Sequence, residues 1–200
     1  MSKDFYSSLY FFTREEEKLK EFRSLLNIED LNSKSLNVPD FQIFNLHKLV
    51  VEKIELIRTQ MPSIPFFIEH TGLKINAWKG LPGGLTRGFM EALGNDLFCK
   101  LMEPFKKEDE RSALAQSVIG FCHPDGTIET FEGKVEGKIA EKPRGTNNFG
   151  WDPIFIPIRE DKSDERTYGE ITPEEKYLRS MRSLACDEFK KYLSQRYQLF

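Results

Sequence analysis

A chain of 200 residues, 39% hydrophobic and 30% charged, has enough apolar material for a packed core and falls among ordinary globular proteins. Its formal net charge of −3 gives no bulk cationic footprint, which excludes duplex nucleic acid as an expected partner. No apolar run approaches the roughly 20 residues of a membrane span, so a soluble, cytoplasmic protein without a membrane partner is expected.

Residues 8–13, SLYFFT, are apolar and aromatic and read as a buried strand. Leu19, Phe22, Leu25 and Leu26 then recur at helical spacing. Thr13 and Glu16 have capping-box spacing, so Thr13 is expected to cap that helix. A second helix is expected over 46–61, where Leu46, Leu49, Val50, Ile54 and Ile57 form an apolar stripe; Pro62 and Pro65 break it. FFIEHTGLKI (66–75) reads as a strand ending at Gly72. NAWKGLPGG is a loop, TRGFMEALG a helix stopping at Gly94, and LFCKLMEPF a further short helix.

The period then changes. Alternating runs on both sides of His123-Pro-Asp-Gly126 predict a hairpin. EKPRGTNNFGWDPIFIPI is a Gly/Pro-rich loop entering an apolar strand. Thr172-Pro173-Glu174-Glu175 provides a cap, a first-turn proline and acidic residues for a helical tail over 172–200. Cys99, Cys122 and Cys186 lie far apart without a CxxC pair and are expected to be free thiols. The elements together predict an α/β fold with a mixed sheet.

Four segments, in order, resemble the inosine-triphosphatase (Ham1-like) family: FFTREEEKLKEF, FIEHTGLKINAWKGLPG, FEGKVEGKIAEKPRGTNNFGWDPIF and EEKYLRSMRSLA. They are similar to that family's strand-turn-helix opening, its acidic pair followed by GxPG, its PRGxxGFGYDPIF run and its EKNxxSHRxxA tail. The third is the most specific. The resemblance implies a single domain over 1–200, with an elongated mixed β-sheet flanked by helices and two lobes around an active-site cleft. It also implies hydrolysis of purine nucleoside triphosphates, deaminated ones above all, to monophosphate and pyrophosphate, with Mg2+ (Mn2+ as the alternative) and a homodimer.

Carried over residue by residue, the resemblance puts Thr13 and Lys18 at the triphosphate, where a strand-to-helix turn offers N–H groups and the helix dipole. The family's Asn falls on Glu15, which repels phosphate unless neutralised. Glu69 takes the first acidic position, as metal ligand and catalytic group, followed by Thr71 as a substrate contact. His70 stands where the second acid belongs. Imidazole is a poor Mg2+ ligand and a good base near neutrality. Water activation, recruitment of Mn2+ or Zn2+, and lost activity all stay open for it. A further family acid falls near His47 or Lys48, with Glu52 the nearest carboxylate.

Phe149, Gly150, Trp151 and Asp152 form the expected base pocket, with the rings as stacking surface. Lys176 and Arg182 are expected to reach the base edge, the Arg donating to a purine carbonyl; a turn or break between them helps both. Pro82, Gly83, Gly84 and Arg87 suggest a tight turn with a phosphate contact. Two main readings remain: an active pyrophosphatase, and a catalytically degenerate nucleotide-binding protein or sensor of the same fold. A shifted substrate is a third.

Overall fold

The computed structural model describes residues 5, 7–35, 37–39, 41–107, 109–161 and 163–197. The elements in chain order are β1 (Tyr10–Phe12), α1 (Glu16–Leu26), β2 (Asn32–Lys34), α2 (Leu46–Gln60) and β3 (Phe66–Ile75). They continue with α3 (Thr86–Leu101), β4 (Ser112–Cys122), β5 (Ile128–Ile139), β6 (Phe155–Pro157), α4 (Pro173–Arg179) and α5 (Met181–Tyr197). The strands form one mixed sheet in the order β2-β1-β3-β4-β5-β6, with β1 parallel to β2 and β3, and β6 antiparallel to β5. No helix among the described residues is long and apolar enough to cross a membrane.

The chain divides into two compact units. The first comprises Met1–His70, Ser117–Gly133 and Arg182–Phe200; the second comprises Thr71–Gln116 and Lys134–Met181. In the first, strand alternation sorts the apolar residues onto two faces. Phe11, Phe67, Ile119 and Phe121 pack with Leu19, Phe22 and Leu26 of α1 and Ala185, Phe189 and Leu193 of α5. Phe12, Phe66, Ile68, Val118 and Cys122 pack with Leu46, Val50, Ile54 and Ile57 of α2. Burial on both faces explains the unbroken apolar start of β3. The second unit has its own core, joining Leu73, Ile75, Phe98, Ile139, Trp151, Ile154, Phe155 and Tyr168.

Several boundaries follow the expectations. The His123–Gly126 turn is closed by the Gly126 amide donating to the His123 carbonyl at 2.9 Å, and Gly126 has φ +88°. Gly94 leaves helical geometry (φ 64°, ψ 175°), so α3 is two helices meeting at a kink. Thr172 accepts from the Glu175 amide at 3.2 Å while Glu175 accepts from the Thr172 amide at 2.9 Å, completing a capping box. Of the expected helical tail, residues 198–200 lie outside the described residues.

Two boundaries differ. Thr13 does not cap α1. Its hydroxyl accepts the Glu15 amide at 3.1 Å in a local turn, the helix begins at Glu16, and the N-cap Glu15 makes no side-chain cap bond. β3 does not end at Gly72, because Leu73 and Ile75 continue its buried side and the Leu73 amide donates to the Thr86 hydroxyl at 2.8 Å.

Candidate active site

The first unit holds a cluster of buried charge. Glu69 and Ser117 share the strand parity of Phe67, Ile119 and Phe121, so they point to the face covered by α1 and α5. Glu69 Oε1 accepts from the Ser117 hydroxyl at 2.7 Å and from Arg182 Nε at 3.1 Å. Glu69 Oε2 faces Lys18 Nζ at 3.3 Å. Arg182, 1% exposed, also donates from Nη1 to Glu21 Oε2 at 2.5 Å. Lys18 reaches the half-exposed Glu15 as well, at 3.4 Å. Burial pushes the Glu69 carboxyl up, but the Arg182 and Lys18 charges and the Ser117 and Arg182 hydrogen bonds overcome it and hold it at about 2.

His70 is set apart from this cluster. One residue on from Glu69, it takes the parity of Phe66 and Ile68, on the face that α2 covers. It is half-buried, and Glu69 takes its partners from Ser117, Arg182 and Lys18. The two side chains therefore do not form the adjacent acid–base pair suggested by the linear sequence. At the start of α2, His47 Nε2 lies 3.1 Å from Glu132 Oε1, and the Lys48 amide donates to the N-cap Asn45 at 3.0 Å. Glu52 is exposed. Thr71, half-buried, opens the second unit.

The second unit brings Phe149, Asp152 and Lys176 together. Lys176 is buried and donates to Asp152 Oδ2 at 2.5 Å, and Asn147 donates to the same oxygen at 3.1 Å. The Lys176 ammonium stands 5.4 Å from the centroids of both the Phe149 and Tyr168 rings. The Phe149 ring is half-buried, whereas Trp151 is 7% exposed and packs edge-on against Phe155 at 5.4 Å. Trp151 thus belongs to the apolar core of its unit, and Phe149 offers the more open aromatic face. Gly150, exposed with φ +57°, gives its carbonyl to the Asn95 amide at 3.0 Å.

Between α4 and α5 the chain breaks at Ser180 (ψ 159°). Lys176 belongs to the second unit and Arg182 to the first. Arg182 is committed to Glu69 and Glu21, which leaves its guanidinium no solvent-facing edge for a purine carbonyl. Arg87 pairs with Glu91 on the exposed side of α3 at 2.7 Å.

The donor set the described residues offer an ion is small. Mg2+ and Mn2+ prefer hard oxygen ligands with room for water. The Glu69 side chain is fully screened and already faces two cations. Among the described residues, no group of three or more His, Cys, Asp or Glu side chains is arranged to hold a metal. Glu69 Oε2 is buried without a hydrogen-bond partner and faces Lys18 Nζ at 3.3 Å, so the Glu69 charge is met in part by Arg182 and Lys18.

Sequence reasoning missed Glu21, Ser117, Asn147 and Tyr168. Ser117 was open to notice as a small polar residue inside the apolar run of β4. Glu21 looks like an ordinary surface residue of a charged helix, and only the tertiary contact with Arg182 explains its burial.

The sequence profile of the Ham1 family matches residues 9–192. The dITP/XTP pyrophosphatase of Methanosarcina mazei is 35% identical over 184 residues, covering 90% of this chain and 94% of that protein. The inosine triphosphate pyrophosphatase of Candida glabrata is 32% identical over 194 residues, covering 94% and 97%. Among solved structures, a HAM1 protein from Coxiella burnetii superposes with a TM-score of 0.73 at 26% identity, covering 94% of this chain and 98% of that one.

Proposed function

The chain belongs to the Ham1 family, and from that membership and its two charged clusters we propose that it is a nucleoside-triphosphate pyrophosphatase acting on purine nucleoside triphosphates. The observation that carries the substrate reading is the buried Lys176–Asp152 pair beneath the half-buried Phe149 ring. A base stacks on Phe149 and opens the buried Lys176–Asp152 contact, after which the ammonium offers one donor and the carboxylate one acceptor in a site that punishes a mismatched edge. A 6-oxo purine presents a carbonyl acceptor and a ring N–H donor, the complement of that pair.

At the phosphate end, Lys18 meets the triphosphate, with Thr13 in the turn before α1. Water attacks the α-phosphorus in line, the bond to the bridging oxygen breaks, and pyrophosphate leaves with its charge partly offset by Lys18. Glu69, its carboxyl held at about 2, is too acidic to take the water's proton; it holds Lys18 in place. His70, on the other face of β3 from Lys18, is the imidazole proposed to accept that proton by way of a water it holds. A divalent cation accompanies the triphosphate, with Mg2+ the expected ion and Mn2+ a substitute. A homodimer working in the cytoplasm completes the reading.

Pyrophosphate release is measured from inosine, xanthosine and the four common nucleoside triphosphates, with Mg2+, Mn2+ or no metal. Turnover of the 6-oxo purines that follows the concentration of the metal–nucleotide complex, and that falls in Phe149→Ala and His70→Asn, supports the reading. Tight nucleotide binding with no release from any triphosphate replaces it with a binding protein of this family.

A further inference from the structure

We infer that Glu21 is a positioning residue that aims Lys18 at the phosphate by way of Arg182 and Glu69. The inference rests on the phosphate role just proposed for Lys18. Lys18 and Glu21 stand one turn apart on α1, close enough to pair with each other. Instead each is engaged from elsewhere in the fold: Lys18 by Glu69 of β3 at 3.3 Å, and Glu21 by Arg182 of α5 at 2.5 Å. Arg182 and Glu69 close the array at 3.1 Å, so four charges alternate in sign from Glu21 to Lys18.

Exposure singles out the working end. The Glu21, Arg182 and Glu69 side chains are 5%, 1% and 0% exposed, whereas Lys18 is 12% exposed and is the member able to meet a ligand. Arg182 is a planar fork held at both ends by carboxylates from different elements, which fixes its plane. Glu21 takes up part of the guanidinium charge and so leaves Glu69 enough anionic character to hold Lys18. Without Glu21, Arg182 draws on Glu69 alone, and the ammonium turns from Glu69 toward the half-exposed Glu15, its other partner at 3.4 Å.

A double-mutant cycle tests the relay. Lys18→Met is expected to lower kcat/KM by about 10²-fold, the scale for losing one donor to developing charge. Glu21→Gln keeps shape and removes charge, and is expected to cost about tenfold in the wild-type background and almost nothing in the Lys18→Met background. Effects that multiply would mean that Glu21 is merely structural and would overturn the proposal. Should Glu21→Gln not fold by thermal melting, Glu21→Asp, which keeps the charge and shortens its reach to Arg182, enters the same cycle.

The cycle is repeated as dissociation constants for inorganic tripolyphosphate, which needs no turnover. A wild-type chain that binds tripolyphosphate but hydrolyses nothing ends the hydrolytic reading, yet still supports the relay if the binding effects of Glu21 and Lys18 are non-additive. A wild-type chain that does not bind tripolyphosphate removes the role of Lys18 and the relay with it.

Discussion

Arg182→Met separates the charge cluster from its packing. Methionine keeps most of the apolar stem at a site that is 1% exposed, and removes the cation that Glu69 and Glu21 share. Removing one partner of a buried ion pair typically costs about 3–5 kcal/mol, because the other charge is left uncompensated. For a chain of this size, each kcal/mol is worth roughly 2–4 °C in Tm, so a fall of about 6–20 °C is expected.

The pH dependence identifies the cause. In the wild type the folded Glu69 carboxyl sits at about 2, below its ordinary 4.5, so its contribution is complete above pH 4.5 and is lost as pH falls towards 2. Without Arg182, burial, the largest single influence on Glu69, carries its folded carboxyl above the unfolded value. The variant's penalty is then greatest at neutral pH and shrinks on acidification, since a raised folded pKa favours the folded state at low pH. Urea unfolding of both proteins at pH 7 and pH 5 is the assay. A loss under about 1 kcal/mol at pH 7, or an equal loss at both pH values, would refute the reasoning.

Phe149→Ala is expected to weaken nucleoside-triphosphate binding by about 1–3 kcal/mol while leaving tripolyphosphate binding unchanged, as calorimetry with the two ligands will show. Two glycines of the second unit should behave differently in thermal melts. At Gly150 (φ +57°) an added Cβ meets nothing within 4 Å, so Gly150→Ala carries only the roughly 1–2 kcal/mol of left-handed strain. At Gly145 (φ +96°) it would lie 2.0 Å from the Gly169 backbone, so Gly145→Ala should cost clearly more; equal Tm losses would contradict this packing. Cys186 is buried and its thiol is pushed up to about 12, so alkylation should be negligible in the native protein and prompt after unfolding, by mass spectrometry at Cys186.

Much of the fold was legible because period and punctuation agreed. The α2 stripe, the turn at Gly126, the kink at Gly94 and the Thr172 box each rest on local chemistry that tertiary packing did not override. The N-terminus of α1 was misread because a threonine hydroxyl has a competing local partner, the amide two residues on, and took it. Within the candidate site, the association of Asp152 with Lys176 and Phe149 was approached through motif and resemblance. The burial of Arg182 was not, since a guanidinium's partners lie 113 and 161 residues away in sequence and no local pattern encodes them.

Strand parity decides how the altered acidic positions are to be understood. Glu69 and His70 are neighbours in sequence but address opposite faces of β3. The α1/α5 face keeps its carboxylate in a dry cluster of alternating charge. The face packed by α2 carries His70, and α2 itself begins with His47 and Lys48, where the family resemblance led to an acid being expected. Glu69 Oε1 is engaged by Ser117 and Arg182, and turning that oxygen away would leave Arg182 with Glu21 alone. On the proposed reading, the charge of a triphosphate is balanced by its divalent cation and by this chain's own ammonium groups. Among them, Lys18 stands between Glu69, which is linked to Arg182 and Glu21, and the half-exposed Glu15.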